Sequence, residues 1–410
     1  MIYLDYAAAT PIDEQVLAAM QPYFAEAFYN PSAVYASARE VRADYEAARH
    51  QIAQVVGARP AEIVLTAGAT ESINLALNFA SLALAGPGPA KRKIVTTAIE
   101  HPAVLETAKA RGAKILPVDR YGCVDLNNLK RAIDDETVLV SIGYANNEIG
   151  TTQPIKEIAE IVAAVRAERS KNGVKTPLLF HTDASQAAGL LDLNVARLGV
   201  DLMTLNAGKC YGPKQVGLLY VRAGVELQPL IRGGGQEMGL RSGTENVAGV
   251  IGFAKALEIA EKKRKGEIER LRKMRDDLEK YLITSLRGCN PKQSSDSLDR
   301  HAALAMTAVV NGHPKHRLPN ILNFSIAGLD GERAVFALDQ RGVQVATGSA
   351  CAANKGVRSH VLTAIGLSPE LVDGSIRISL GRPTKAAEIE KLKLVLSETI
   401  HEQLKFGSQQ

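Results

Sequence analysis

Lys209 stands in the run Asn206-Ala207-Gly208-Lys209-Cys210-Tyr211-Gly212-Pro213-Lys214, among small and turn-forming residues. A lysine placed this way either reaches solvent or, where burial and nearby cations lower its pKa, forms a Schiff base. Asp183 follows the apolar run Leu178–Thr182 and precedes Ala184-Ser185-Gln186. A carboxylate there either caps a helix or pairs with a protonated heterocycle nitrogen. A third segment, Ala67-Gly68-Ala69-Thr70-Glu71-Ser72, lies between the strand-like Glu62–Thr66 and a helical pattern. Glycine and small residues at such a junction let backbone N–H groups and the helix dipole face an anion, with phosphate the obvious guest. Each feature has a bland packing alternative. Together they put a phosphate cradle, an acidic partner and a lysine at three strand ends, which is the constellation a pyridoxal phosphate site needs.

The four cysteines, Cys123, Cys210, Cys289 and Cys351, are scattered without a C-x-x-C pair, so neither a zinc site nor a disulfide framework is indicated. Cys123 and Cys289 read as inert, and Cys210 as a small apolar group. Cys351 lies in Thr347-Gly348-Ser349-Ala350-Cys351-Ala352-Ala353, a small-residue run suited to an exposed loop, where a thiol is either incidental or reactive.

These residues need a scaffold that brings strand ends together. Short β-branched runs recur at Glu62–Thr66, Ile94–Thr97, Lys114–Val118, Val138–Ile142, Leu178–Thr182, Leu202–Leu205 and Gly217–Val221, with helical segments such as Glu71–Leu84 and Ile155–Glu168 between them. The alternation predicts an α/β fold with a mostly parallel seven-stranded sheet between helices, and ligands beyond the carboxyl ends of its strands. Ile268, Leu271, Met274, Leu278 and Tyr281 form one stripe of a long helix that bridges into a smaller α/β unit. At 410 residues two domains are expected. We place a large cofactor-binding domain at 13–258, and a small one at 1–12 and 259–410 that carries the Cys351 loop. Residues 290–318 read as an exposed polar loop, and His313 and His316 within it as a solvated pair rather than metal ligands.

A net charge of +5 from 49 Lys and Arg against 44 Asp and Glu gives no strong nucleic-acid signal. The basic stretch Lys262–Arg275 is interrupted by acids and reads as a solvated helix face. Neither a membrane span nor a secretory leader is visible, which predicts a cytoplasmic protein.

In one order, the chain carries Thr66-Ala67-Gly68-Ala69-Thr70-Glu71-Ser72, Glu100-His101, Asn146-Asn147-Glu148-Ile149-Gly150, His181-Thr182-Asp183-Ala184-Ser185-Gln186, Lys209 with Tyr211-Gly212-Pro213-Lys214, Arg241-Ser242-Gly243-Thr244, Gly348-Ser349-Ala350-Cys351 and Ser375-Ile376-Arg377. From about Ile2 to Arg382 this resembles the pyridoxal-phosphate-dependent cysteine desulfurases of fold-type I, in the class V aminotransferase group. The Gly-Ser-Ala-Cys form is similar to the branch serving iron–sulfur cluster assembly and tRNA thiolation.

The resemblance implies that Lys209 holds the cofactor as a Schiff base and then moves protons at the substrate Cα. By the same resemblance Asp183 pairs with the ring nitrogen, Gln186 bonds the ring oxygen and His101 stacks on the ring and assists proton transfer. Ala69 and Thr70 hold the phosphate, and Thr244 reaches the phosphate of a neighbouring subunit in a homodimer. Arg377 clamps the substrate carboxylate and Asn147 assists beside it. Cys351 takes sulfur from L-cysteine as a persulfide and passes it to an acceptor protein, a scaffold or sulfur carrier. Two positions depart from the family: Gly208 stands where it usually has His, and Asn206 where it usually has Ser, so the phosphate grip is expected to differ. The terminal residues Phe406–Gln410 show no docking motif for a scaffold. Other readings stay open: a selenocysteine lyase or aminotransferase of the same fold, or a desulfurase-like scaffold without turnover.

Overall fold

The computed structural model describes residues 1–79, 92–287, 308–348 and 358–407. Strand β1 is Ile2–Tyr3. The main sheet is built from β2 (Ile63–Thr66), β3 (Lys93–Thr97), β4 (Lys114–Leu116), β5 (Thr137–Ser141), β6 (Leu179–Asp183), β7 (Leu202–Asn206) and β8 (Gly217–Val221), in the order β2-β8-β7-β6-β5-β3-β4. Neighbours from β7 to β4 run parallel, whereas β8 is antiparallel to both β2 and β7. The sheet has seven strands, as the recurring runs predict. The central ones, such as Thr-Val-Leu-Val-Ser in β5, are buried along their whole length because helices cover both faces.

The helix Val247–Arg287 has 41 residues, about 60 Å at 1.5 Å per residue. Its first half packs into the core of the main sheet through Val250, Phe253 and Leu257. Its second half enters a separate hydrophobic cluster through Leu271, Met274 and Leu278. That second cluster belongs to a three-stranded antiparallel sheet of β9 (Ala308–Asn311), β10 (Ile321–Ile326) and β12 (Ser375–Ser379), backed by the helices Gly331–Gln340 and Ala386–Gly407. β11 (Val343–Gln344) pairs with β1.

One expectation is corrected here. Residues 308–311 are not loop but an edge strand on β10, with Ala308 and Val310 packed against that cluster. Residues 290–307 of the expected loop lie outside the described residues, as do Cys289, Cys351 and their neighbours. His313 Nδ1 accepts from the amides of Lys315 and His316, so this histidine shapes a turn. The basic stretch forms intrahelical pairs such as Arg264–Glu261 and Arg270–Glu267, but it is not wholly a solvated face: Arg270 also donates to Thr384 O and Gly381 O, and buried Arg275 donates to Leu318 O. No helix among the described residues is long and apolar enough to cross a membrane.

Candidate active site

Parallel strands all end on one side of the sheet, so the residues following β2, β3, β5, β6 and β7 share one opening. A cavity of about 290 Å³ lies there, walled by Ala69, Thr70, His101, Asn147, Asp183, Gln186, Asn206, Lys209 and Arg377, among others. Of the site residues expected from sequence, Thr244 is exposed and is not in the cavity wall, and Cys351 lies outside the described residues. The rest converge.

β2 ends in Thr66, and Gly68 then turns the chain with φ +133° into the helix Ala69–Leu77, which no side chain caps. The first-turn amides are therefore available to an anion. An added Cβ at Gly217 would stand 2.6 Å from the Gly68 carbonyl carbon, so the turn fits only against glycine in β8. Glu71 braces the turn, accepting from Ala67 N at 2.8 Å and pairing with Arg241 Nε at 3.1 Å. That pair brings the Arg241–Thr244 segment against the cradle helix.

Asp183 is the last residue of β6. Its Oδ1 accepts from Ser185 N at 3.0 Å and from Ser185 Oγ at 2.5 Å, which fixes the carboxylate. No helix starts at Asp183, so it orders a turn rather than capping a helix, and it also lines the cavity. Beneath it His181 is wholly buried between Ser141 Oγ and Thr204 Oγ1, and burial pushes its pKa down to about 4. His181 is therefore a neutral strut under the site.

His101 caps the helix Pro102–Lys109, its Nδ1 accepting from Ala103 N at 3.1 Å. Burial lowers its pKa, Lys209 and His360 act in the same direction, and Asp183 opposes it. With Nδ1 used as an acceptor, the neutral ring carries its proton on Nε2.

Lys209 closes a short 3-10 turn after β7. Its Nζ donates to the carbonyls of Ala7 at 2.9 Å and Ala8 at 2.6 Å. Gln186 Nε2 donates to Ala7 O at 3.0 Å, and Thr10 Oγ1 donates to Gly208 O at 3.1 Å. Asn206 Oδ1 accepts from Gly208 N at 3.0 Å, so the asparagine stabilises the turn that presents the lysine. An added Cβ at Gly208 would meet atoms no nearer than 3.5 Å, so local packing leaves room for a side chain there. Cys210 is buried, its thiol pushed up to about 12, and it packs as the small apolar group expected.

Arg377 sits in β12 with its side chain 1% exposed. Nη1 donates to Asn147 O at 3.0 Å and Nη2 to Asp5 Oδ1 at 2.6 Å, while Nε has no partner among the described residues. A buried guanidinium in a cavity wall with an unsatisfied N–H is suited to a carboxylate.

Sequence reasoning missed the segment Asp5–Thr10, which touches Arg377, Gln186, Lys209 and Gly208, and it gave no role to Glu100 in the cavity wall. Ala7 and Ala8 act through backbone carbonyls, which no residue type announces.

The donors present fit pyridoxal phosphate: an uncapped helix N-terminus for the phosphate, a fixed carboxylate for the ring nitrogen, an amide for the ring oxygen and a lysine amine in one cavity. Such a site on this doubly covered sheet defines an enzyme of the fold-type I class that works with that cofactor. Comparison with known proteins agrees. The aminotransferase class-V family pattern matches residues 2–392. A cysteine desulfurase IscS of Dictyoglomus turgidum is 43% identical over 97% of this chain and 94% of that protein. Cysteine desulfurase IscS 1 of Archaeoglobus fulgidus is 40% identical over 98% of this chain and 97% of its own length. A solved NifS-like protein superimposes with a TM-score of 0.84 at 35% identity, covering 98% of this chain and 99% of that one. The chain belongs to the aminotransferase class-V family, among its pyridoxal-phosphate-dependent cysteine desulfurases.

Proposed function

We propose that the residues of this site strip sulfur from free L-cysteine, releasing L-alanine and leaving the sulfur on Cys351 as a persulfide. The observation that carries this reading is the convergence of Lys209, Asp183, His101 and Arg377 on one cavity. Bound there, pyridoxal phosphate supplies an electron sink that lets a proton leave the substrate Cα. Lys209 is the covalent anchor and afterwards the base that takes and returns that proton. The carbonyls of Ala7 and Ala8 receive its ammonium when it is not engaged. Asp183 offers its carboxylate to the ring nitrogen, Gln186 its amide to the ring oxygen, and neutral His101 its Nε2 proton. Ala69, Thr70 and Asn206 surround the phosphate position, and Arg377 with Asn147 orients the substrate carboxylate.

Cys351 acts as a thiolate on the substrate sulfur. The S–S bond forms as the Cβ–S bond of the substrate breaks. The electron pair stays with carbon, which gains a proton to become alanine.

The sulfur then passes to an acceptor protein, for iron–sulfur cluster assembly or tRNA thiolation. Thr244, exposed and tied to the cradle through its segment's Arg241–Glu71 pair, serves the phosphate of a second copy in a homodimer. A single-chain mass in sedimentation would overturn that arrangement. The two hydrophobic clusters joined by the long helix support division into 13–258 and 1–12 with 259–410. Persulfide chemistry suits a reducing cytoplasm, a location that cell fractionation checks.

Lys209→Ala is expected to lose the yellow colour of the lysine-bound cofactor. Cys351→Ala keeps the colour and forms no persulfide. Unchanged sulfide release from Cys351→Ala would contradict the role given to that thiol.

A further inference from the structure

We infer that Asp5 is the positioning residue for Arg377 and thereby sets the affinity of the site for the substrate carboxylate. The inference rests on the reading that Arg377 takes that carboxylate.

Asp5 is held from several sides. Its backbone bridges to Ser379 of β12, two residues from Arg377. Ser379 N donates to Leu4 O at 2.8 Å, and Ser379 Oγ accepts from Ala7 N at 2.9 Å. Tyr3 OH donates to Asp5 O at 2.9 Å. The Asp5 side chain thus stands over the strand that carries the guanidinium, 18% exposed, while Arg377 is 1% exposed.

A guanidinium this buried needs a counter-charge before substrate arrives, and Asp5 Oδ1 supplies it at 2.6 Å. The group is planar, so fixing Nη2 on Asp5 and Nη1 on Asn147 O fixes the whole fork. Asp5 takes one of the five N–H donors, and Nε has no partner among the described residues. The orientation in which a second carboxylate must dock is therefore set by the first. The link runs from the N-terminal segment to β12.

The test is steady-state kinetics of the holoenzyme with L-cysteine, alongside cysteamine, which keeps the amine and thiol but lacks the carboxylate. An anchor that acts equally in ground and transition states changes KM and not kcat. Asp5→Ala is expected to raise KM for L-cysteine by about tenfold or more, given what misplacing a bidentate partner costs, with kcat and cofactor colour retained. The preference for L-cysteine over cysteamine, read as competitive binding to the holoenzyme, falls by the same factor. Asp5→Asn keeps an oxygen acceptor but not the counter-charge, and recovers only part of the loss. Should Asp5→Ala fail to fold, Asp5→Glu carries the test, since it keeps the charge and moves it by one methylene; a reduced preference is again expected. An unchanged preference, or a fall in kcat at constant KM, overturns the inference. Arg377→Lys separates the two layers. If it lowers the preference while the Asp5 variants do not, the positioning role alone falls. If Arg377→Lys also leaves the preference unchanged, the carboxylate reading itself falls.

Discussion

Glu100 stands beside the reacting groups yet is fully enclosed. Its Oε1 accepts from Thr97 Oγ1 at 2.6 Å and its Oε2 from Gly143 N at 2.9 Å. Burial pushes its carboxyl from 4.5 up to about 8; the charge of Asp183 adds to this, and the two hydrogen bonds oppose it. The folded chain therefore binds this proton more tightly than the unfolded chain. The stabilisation is complete below pH 4.5 and is lost as pH rises through 8. Glu100→Gln keeps the site neutral: its carbonyl can accept from Gly143 and its amide can donate to Thr97 Oγ1. The variant is expected to gain on the wild type in urea midpoint steadily between pH 5 and 8. Parallel stability curves would contradict the assignment. Lys209 and Asp183 were legible as candidates because lysine and aspartate stand out at strand ends, whereas Arg377, in the middle of β12, was reached only through the resemblance. Asp5 was not, since its partner Arg377 lies 372 positions away and only the fold brings them together.

Among the elements, the junction of β2 with the helix Ala69–Leu77 forms the proposed phosphate cradle. Gly68 holds φ +133° and ψ 176°, a region open in practice only to glycine. An added Cβ there would meet nothing within 4 Å, so the cost of substitution lies in the backbone rather than in a clash. Gly68→Ala is expected to destabilise the chain by about 1–3 kcal/mol and to weaken cofactor uptake, because relaxing φ turns the first-turn amides away. Titration of the apo form with pyridoxal phosphate, followed by absorbance, checks this; unchanged affinity would mean that those amides do not carry the phosphate. This junction was legible because glycine and small residues between a β-branched run and a helical pattern have few other uses. The strand-end readings hold to within one or two residues for the same reason. The reversal of β8 was not legible, since Gly-Leu-Leu-Tyr-Val has no sign of direction. Nor was β9, a four-residue strand within a polar stretch.

At the scale of the molecule, the sheet collects Lys209, Asp183, His101 and the phosphate cradle, while β12 supplies Arg377 from the other hydrophobic cluster. The segment Asp5–Thr10 crosses between them, meeting Arg377 at one end and Lys209 and Gly208 along its length. In the proposed reading, groups for the substrate carboxylate and for the cofactor thus come from beside different hydrophobic clusters, which this segment and the long helix both join. This arrangement explains why the resemblance spans nearly the whole chain rather than one unit. The central claim is that these parts move sulfur from L-cysteine to Cys351. The direct measurement is a single turnover of the holoenzyme with L-cysteine, counting alanine released and locating added sulfur by peptide mass. The account predicts one alanine for each sulfur added, with that sulfur on Cys351. Alanine formed with sulfur on Cys123, Cys210 or Cys289, or no alanine from a fully loaded enzyme, would contradict it.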